Sequence, residues 1–199
     1  MKPVFFIALL TSVLTVNLYL LLSPSYVGWQ YSRPAAGTGN AGSDVNQALA
    51  IVDYLKHKTD RLPILSHKER SHLADVRDLF DLAFTVFKLA LAVLLLASAP
   101  LIKSMGRRPF QRYLALCGAG GLAILTAFSW AALLDFNWLF NRFHGLFFIG
   151  DSWLFDANSL LIRLFPLEFW ARAGLHWALL TMVELAVIAT GAVIAGRRS

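Results

Sequence analysis

Residues 4–22 read VFFIALLTSVLTVNLYLLL, a nearly unbroken apolar run behind Lys2. As an α-helix that rises about 1.5 Å per residue, this run would cover roughly 28 Å, the thickness of one hydrocarbon core. A cleaved signal peptide is the alternative, but its apolar region would be shorter, and residues 22–25 lack the small-x-small pattern of a cleavage site. We therefore expect a retained membrane-spanning helix.

Three further apolar stretches follow at 79–102, 113–134 and 173–195. Of the 199 residues, 57% are hydrophobic and only 15% are charged, which is typical of integral membrane proteins. The net charge of +6 would also fit a nucleic-acid-binding protein, but the basic residues lie in short clusters beside the apolar stretches and form no basic face. The sequence therefore predicts an all-α membrane protein with four transmembrane helices and no nucleic-acid partner.

The short basic segments predict how these spans are oriented. The basic residues that lack acidic companions are Lys2, Lys103, Arg107, Arg108, Arg112, Arg197 and Arg198. Positive flanks stay in the cytoplasm, so both termini and the inner loop 103–112 are expected there. The connections 25–78 and 135–172 carry nearly balanced charges and are then extracytoplasmic. We expect a single multi-pass domain, residues 1–199, in the cell membrane, whose two outer connections form a small cap.

Local signals predict two helices in the first outer connection. Residues 33–42 (RPAAGTGNAG) have the composition of a Gly/Pro-rich loop, and Ser43 is placed as the N-cap of an amphipathic helix. Ser66 and Glu69 form an S-x-x-E capping box, in which each side chain satisfies a free backbone N–H of the other residue. This box predicts a second helix that continues into the span 79–102.

The third span carries alanine at every fourth position from 115 to 131, with Gly118, Gly120 and Gly121 beside that row. Such a ridge of small residues lets a neighbouring helix approach closely. Alanine is also common in such helices, so both interpretations stay open. The single cysteine, Cys117, excludes an intrachain disulfide and any zinc site built on two cysteines of one chain.

Residues 66–78 (SHKERSHLADVRD) supply a histidine with carboxylates at helical spacing. Residues three or four apart share a helix face, so Glu69, His72 and Asp75 form one stripe. A carboxylate beside an imidazole fixes its tautomer and raises its basicity, as in a catalytic base. The alternative is a solvated, charged helix end above a membrane span.

Residues 136–153 (FNWLFNRFHGLFFIGDSW) place His144 in a run of Phe and Trp between two spans. Aromatic rings of amphipathic character collect at the membrane interface. An imidazole there is hydrated enough to titrate and close enough to reach a lipid ester. The alternative is a structural, hydrogen-bonding histidine, a role for which His176 at the head of the fourth span is equally suited.

Taken together, the two histidine segments resemble the bacterial lipoprotein intramolecular transacylase family, Lit. The resemblance lies in ERSHLADV at 69–76, in FHGLFF at 143–148 followed by Trp153, and in the tail DSWLFDANSLLIRLFPLEFW at 151–170. It covers about 60–82 and 135–172 together with the architecture of four spans, whereas residues 25–60 match nothing. The resemblance implies an enzyme that moves the sn-2 acyl chain of a diacylglyceryl lipoprotein to the α-amino group of its N-terminal cysteine.

By the same resemblance, the catalytic histidines fall on His72 and His144. The supporting residues are then Glu69, Asp75, Asp151 and Trp153. We expect His72 to be the general base, held by the two carboxylates of its stripe, and His144 to stabilise the oxyanion or protonate the leaving alkoxide. The implied partners are a diacylated lipoprotein and membrane lipid, and neither a cofactor nor a metal is expected.

Lys88 and Glu184 lie well inside predicted spans. A charge in lipid is costly and is a functional hypothesis by default. The two charges could pair, and snorkelling of Lys88 to the outer interface is the alternative, which is favoured for Lys88 taken alone. Two other classes of function stay open at this stage. One is a non-catalytic membrane scaffold or lipoprotein-binding partner, and the other is a small transporter that uses these two charges.

Overall fold

The computed structural model describes residues 1–32 and 41–198, with backbone only at 41 and 42. This part of the chain is helical and contains no strand, which confirms the predicted all-α class. The predicted loop 33–42 falls almost entirely outside it. The helices are α1 (Lys2–Val16), α2 (Leu18–Leu21), α3 (Pro24–Tyr31), α4 (Ala41–Leu55), α5 (His67–Met105), α6 (Arg107–Leu134), α7 (Phe136–Phe147), α8 (Leu160–Leu164) and α9 (Leu167–Arg198).

Four of the described helical segments are long and apolar enough to cross a membrane: Lys2–Leu21, α5, α6 and α9. The predicted spans 79–102, 113–134 and 173–195 lie inside the last three. The chain also divides into two compact units. The span unit comprises Met1–Leu18, Ala83–Leu134 and α9 from Leu175 onward, and the connection unit comprises Tyr19–Leu82 and Asp135–Gly174.

The core of the span unit is a cluster of aromatic and aliphatic side chains from α1, α5, α6 and α9. Its buried members are Phe5, Leu9, Val13, Leu101, Phe110, Cys117, Leu125 and Leu185. Two glycines bring α9 close to α6. A Cβ at Gly118 would lie 2.9 Å from the backbone N of Ala189 and the backbone O of Leu185, and one at Gly121 would lie 3.0 Å from a methyl of Leu185. Of the two interpretations of the third span, the structure supports close approach, at these two glycines.

We expect Gly118→Ala to destabilise the protein relative to Gly120→Ala. Both changes remove the conformational cost of glycine in a helix, but only the first places a methyl group against backbone that cannot move aside. At Gly120 the nearest atom, a ring carbon of Phe6, would lie 3.9 Å away. The steric cost at Gly118 is about 1–3 kcal/mol. Thermal unfolding of both variants in the same detergent measures the difference, and equal midpoints would contradict the close packing.

A polar group lies inside the span unit where α1 ends. The amide nitrogen of Asn17, which is buried, donates to the hydroxyl of Thr181 and to a carboxylate oxygen of Glu184, both at 3.0 Å. The Thr181 hydroxyl in turn donates to the carbonyl oxygen of Trp177 at 2.8 Å. Of the two alternatives for Lys88 and Glu184, the structure does not show the ion pair. No ion pair joins them in the described chain; Lys88 is exposed, and the carboxylate has a partner on α1 instead.

Asn17→Leu and Glu184→Leu are therefore expected to couple in a double-mutant cycle. Hydrogen bonds between membrane helices are worth about 0.6–1.7 kcal/mol, so the double variant should lose less stability than the sum of the singles by that amount. Lys88→Met combined with Glu184→Leu is the control and should be additive within about 0.5 kcal/mol. If only the control cycle showed coupling, the result would support an ion pair between Lys88 and Glu184 and contradict the hydrogen bond from Asn17. The measurement is thermal unfolding in detergent.

The connection unit has a core of its own, built by α3, α4 and the start of α9. Val27, Ala48, Val52 and Phe169 are buried against one another. Two sequence expectations fail here. The short helix α3 was not predicted, and Ser43 is not an N-cap, because α4 already begins at Ala41.

Polar contacts tie α3 to the second connection. The amide of Gln30, which is almost fully buried, donates to the carbonyl oxygen of Phe169 and accepts a hydrogen bond from Arg172. The phenol of Tyr31 donates to the carbonyl oxygen of Leu164 at 2.6 Å. Burial raises the pKa of Tyr31, so this phenol stays a donor at any physiological pH.

Candidate active site

The start of α5 is fixed by the predicted capping box. The carboxylate of Glu69 accepts hydrogen bonds from the backbone N–H and the hydroxyl of Ser66, both at 2.8 Å, and the Ser66 oxygen accepts from the backbone N–H of Glu69 at 3.2 Å. The other carboxylate oxygen accepts from the backbone N–H of Leu161 in α8 at 3.0 Å. Burial alone would raise the pKa of Glu69, but the bonds from Leu161 and Ser66 outweigh it and hold the pKa below its ordinary value.

The expectation that Glu69 and Asp75 hold the ring of His72 is wrong. Both oxygens of Glu69 are used by Ser66 and Leu161, and Asp75 is exposed without a hydrogen bond to the ring. Helical spacing places these side chains on one face, but the backbone N–H groups at the helix start compete for the nearer carboxylate. Glu69 therefore connects α8 to α5 and forms no hydrogen bond with the imidazole of His72.

His72 lies one turn beyond the cap and is only 8% exposed. The rings of Phe148 and Phe155 meet it edge-on, with centroids 4.7 Å and 5.4 Å away. Its Nδ1 is buried and has no hydrogen-bond partner in the described chain. Burial, with a smaller contribution from the neighbouring His144, lowers the pKa of His72 to about 4. The ring is therefore neutral at physiological pH, with one N–H and one lone pair.

His144 lies in the last turn of α7, a helix that Asp135 caps by accepting from the backbone N–H of Trp138 at 2.8 Å. Nδ1 of His144 lies 2.8 Å from the carbonyl oxygen of Phe140, one turn earlier. A carbonyl oxygen can only accept, so Nδ1 carries the proton and Nε2 carries the lone pair. Burial lowers the pKa of His144, and the bond to Phe140 opposes that shift.

The two imidazoles lie side by side, although 71 residues separate them in the chain. Their centroids are 6.0 Å apart with an angle of 29° between the planes. Phe148 contacts both rings, and Trp153 packs against His144 at 4.9 Å. Aromatic side chains thus enclose a proton acceptor of fixed tautomer and a second neutral imidazole, an arrangement that can move one proton and donate one hydrogen bond.

The other predicted site residues divide into those near the pair and those away from it. Trp153 contacts the pair, whereas the side chain of Asp151 is exposed and only its backbone carbonyl is used, by Leu154. Lys68 donates to the carbonyl oxygen of Leu154 and lies over the ring of Phe155, which holds this segment against the start of α5. The sequence analysis missed Phe155, and its only signal was a place within the matching tail.

Two further histidines, His57 and His67, do not contact the pair. His57 follows α4 with a positive φ of 55°, and its Nε2 lies 2.8 Å from a carboxylate oxygen of Asp81 on the exposed surface. His67 is exposed in the first turn of α5. Among the described residues, no three His, Cys, Asp or Glu side chains are grouped closely enough to hold a metal ion.

Comparison with known proteins identifies the family of the chain. The model of the family described as "Lipoprotein intramolecular transacylase Lit" matches residues 3–170. The chain belongs to this family. The family resemblance inferred from the two histidine segments is thereby confirmed, and the chain is an integral membrane enzyme of the transacylase class.

Solved structures of the Lit transacylase from Bacillus cereus share the fold. One aligns with a TM-score of 0.79 at 16% identity, covering 100% of this chain and 96% of that chain. Two variants of the same protein, with a histidine replaced by arginine or by alanine, align with TM-scores of 0.76 and 0.71 at 15% identity, covering 99% of this chain and 91% or 92% of theirs. No curated protein matches the chain significantly.

Proposed function

We propose that the enzyme moves the sn-2 acyl chain of a diacylglyceryl lipoprotein onto the α-amino group of its N-terminal cysteine, giving a lyso-form lipoprotein. The observation that carries this proposal is the pair of stacked imidazoles, His72 and His144, within one aromatic enclosure. An O-to-N acyl transfer needs one base, one hydrogen-bond donor to the developing oxyanion, and no external nucleophile.

We assign the general base to His144 and the oxyanion donor to His72, the reverse of the sequence-based assignment. The Phe140 carbonyl fixes the proton on Nδ1 of His144, which leaves Nε2 to take a proton from the amine. No carboxylate orients His72, and a pKa of about 4 keeps its ring neutral. A neutral imidazole can donate its N–H to an oxyanion without giving up a positive charge.

One histidine, His144, can both accept and return the proton that the reaction moves. The amine nitrogen bonds to the ester carbonyl carbon while its proton passes to Nε2 of His144, and the carbonyl oxygen becomes an oxyanion that accepts a hydrogen bond from His72. When the intermediate collapses, the bond from the acyl carbon to the glyceryl oxygen breaks, and the imidazolium of His144 returns the proton to that oxygen. Neither water nor a cofactor is consumed.

The aromatic enclosure suits this reaction because water would compete with the amine. Phe148 and Phe155 cover His72, and Trp153 and Phe140 cover His144. Excluding water strengthens each hydrogen bond in the site and prevents hydrolysis of the ester. Amine and ester belong to one molecule, so the enzyme contributes mainly by holding them in reach of each other.

We further propose that both termini are cytoplasmic and that the site faces the other side of the membrane. In a variant with Cys117→Ala, cysteines at Ile64 and Asn158, both exposed, should react with a membrane-impermeant thiol reagent in intact cells. A cysteine at Ser104, exposed in the basic inner segment, should react only after lysis. The opposite labelling pattern would contradict this topology and place the histidine site on the cytoplasmic side.

The function itself is tested by the N-terminus of a lipoprotein made with and without this protein. Mass spectrometry of the N-terminal peptide should show one acyl chain on the amino group and a lyso-glyceryl thioether, at unchanged total mass relative to the diacylglyceryl form. A diacylglyceryl N-terminus with a free amine in both samples would refute the proposed reaction.

A further inference from the structure

A groove of about 870 Å³ runs between α6 and α9 in the span unit. Small and apolar side chains line it, among them Ala115, Ala119, Ala189 and Val193. The hydroxyl of Thr190 also lines it, but this hydroxyl already donates to the Ala186 carbonyl of its own helix. The walls therefore offer an incoming molecule dispersion contacts and almost no hydrogen bonds.

Two arginines stand at one end of the groove. Arg112 belongs to the second turn of α6 and Arg197 to the last turn of α9, and both line the groove and are exposed. Neither forms an ion pair with another described residue. The sequence of α6 contains no Asp or Glu, and the acidic residue of α9 nearest to Arg197 is Glu184, about 20 Å along the helix axis.

The positions of the lining residues define an elongated site. Ala119 lies two turns from Arg112, and Ala189 lies slightly more than two turns from Arg197, so the apolar floor extends roughly 10–12 Å from the arginines. The volume falls in the range of about 300–1,000 Å³ that ligand sites usually have. A ligand that fits has an anionic group at one end and an aliphatic chain at the other.

We propose that this groove binds an anionic phospholipid, with the phosphodiester between Arg112 and Arg197 and an acyl chain along the alanines. Basic pockets between transmembrane helices are suited to anionic head groups, and guanidinium groups pair with phosphate oxygens in bidentate fashion. The occupant is distinct from the lipoprotein substrate, because the reaction proposed for that substrate takes place at the histidine pair in the connection unit.

A second copy of the chain is the competing occupant, because small residues also favour helix packing. Charge argues against it. A symmetric dimer across this groove would bring two copies of Arg112 and Arg197 close together, with no acidic residue of α6 to neutralise them. A phospholipid places negative charge where four positive charges would otherwise repel each other.

Native mass spectrometry of the full-length protein in detergent tests the proposal, with phosphatidylglycerol and phosphatidylcholine of identical acyl chains as probes. We expect one phosphatidylglycerol to be retained in preference to phosphatidylcholine. Each basic residue near a membrane surface contributes about fivefold to anionic lipid binding, so Arg112→Gln with Arg197→Gln should weaken retention by roughly 30-fold. Phosphatidylcholine binding should change little.

Two controls separate the groove from general charge attraction. Arg108→Gln with Arg198→Gln removes the same charge from neighbouring exposed positions outside the groove and should leave retention within about threefold, since neither side chain lines the groove and neither can form the bidentate contact with the phosphate. Ala119→Leu fills the groove without changing charge and should displace the lipid.

Three results would overturn the proposal. One is equal retention of phosphatidylglycerol by the two double variants, which would show that net charge alone attracts the lipid. Another is no preference for phosphatidylglycerol over phosphatidylcholine. The third is an Ala119→Cys variant, with Cys117→Ala, that forms a cross-linked dimer in phosphatidylglycerol bilayers, which would assign the groove to a second copy.

Discussion

Replacing His144 by alanine is expected to reduce lyso-lipoprotein formation by about 10²–10⁴-fold, the range in which a positioned general base contributes. The attacking amine has a pKa near 8, so much of it is protonated at neutral pH, and the fraction that attacks must lose a proton as the new bond forms. His144 is the imidazole of the enclosure whose tautomer a described hydrogen bond fixes, so its loss removes the one base with a defined free lone pair among the described residues.

The test is a single-turnover assay with a purified diacylglyceryl lipopeptide, read by mass spectrometry of its N-terminus. His144→Gln belongs in the same experiment. The glutamine amide is of similar length but hardly basic, so it should not restore the rate. His67→Ala, which changes an exposed histidine of the same connection unit, should leave the rate within about twofold because it touches neither imidazole. Near-normal turnover by His144→Ala would remove the base from the mechanism.

The features that the sequence predicts well are local ones. The capping box of Ser66 and Glu69 depends on residues three apart, and both reciprocal hydrogen bonds are present. The apolar runs that predict the four spans are equally local, because crossing a bilayer needs only a long stretch without charge. Such signals do not depend on which other part of the chain packs nearby.

The features that the sequence misassigns depend on distant partners. Helical spacing pairs the carboxylate of Glu69 with the nearest histidine on its helix face, but the backbone N–H of Leu161, 92 residues away, donates to one of its oxygens. The sequence offers Glu184 the other intramembrane charge as a possible partner, whereas its carboxylate accepts from the neutral amide of Asn17. Opposite charge is a weak guide inside a protein, because any well-placed donor satisfies a carboxylate.

The pairing of His72 with His144 lies between these cases. Composition and spacing alone leave each histidine with an ordinary structural interpretation, since an interfacial imidazole often only donates a hydrogen bond. Only the family resemblance, which spans both segments, placed them together, and the centroid distance of 6.0 Å agrees with it. Their roles then followed from hydrogen bonds that helical spacing does not encode.

Replacing His72 by alanine is expected to lower the rate by about 10²–10³-fold, the usual cost of removing one oxyanion donor. The replacement that separates the roles is His72→Gln. Its side-chain N–H groups can still donate to the oxyanion, so this variant should recover a substantial part of the lost rate. The same change at His144 should recover none, since a base is required there.

The pH dependence of the wild-type enzyme gives an independent check on His72. With a pKa of about 4, the ring of His72 stays neutral from pH 5 to 8 and should contribute no step to the rate. Over that interval the rate should rise with deprotonation of the substrate amine and of the base His144, whose pKa burial holds below its ordinary value, so no step is expected near 6.5. A step near 6.5 that disappears in His72→Gln would identify His72 as a titrating base. In that case water would reach the ring of His72 despite the surrounding aromatic side chains, and the two histidines would exchange roles.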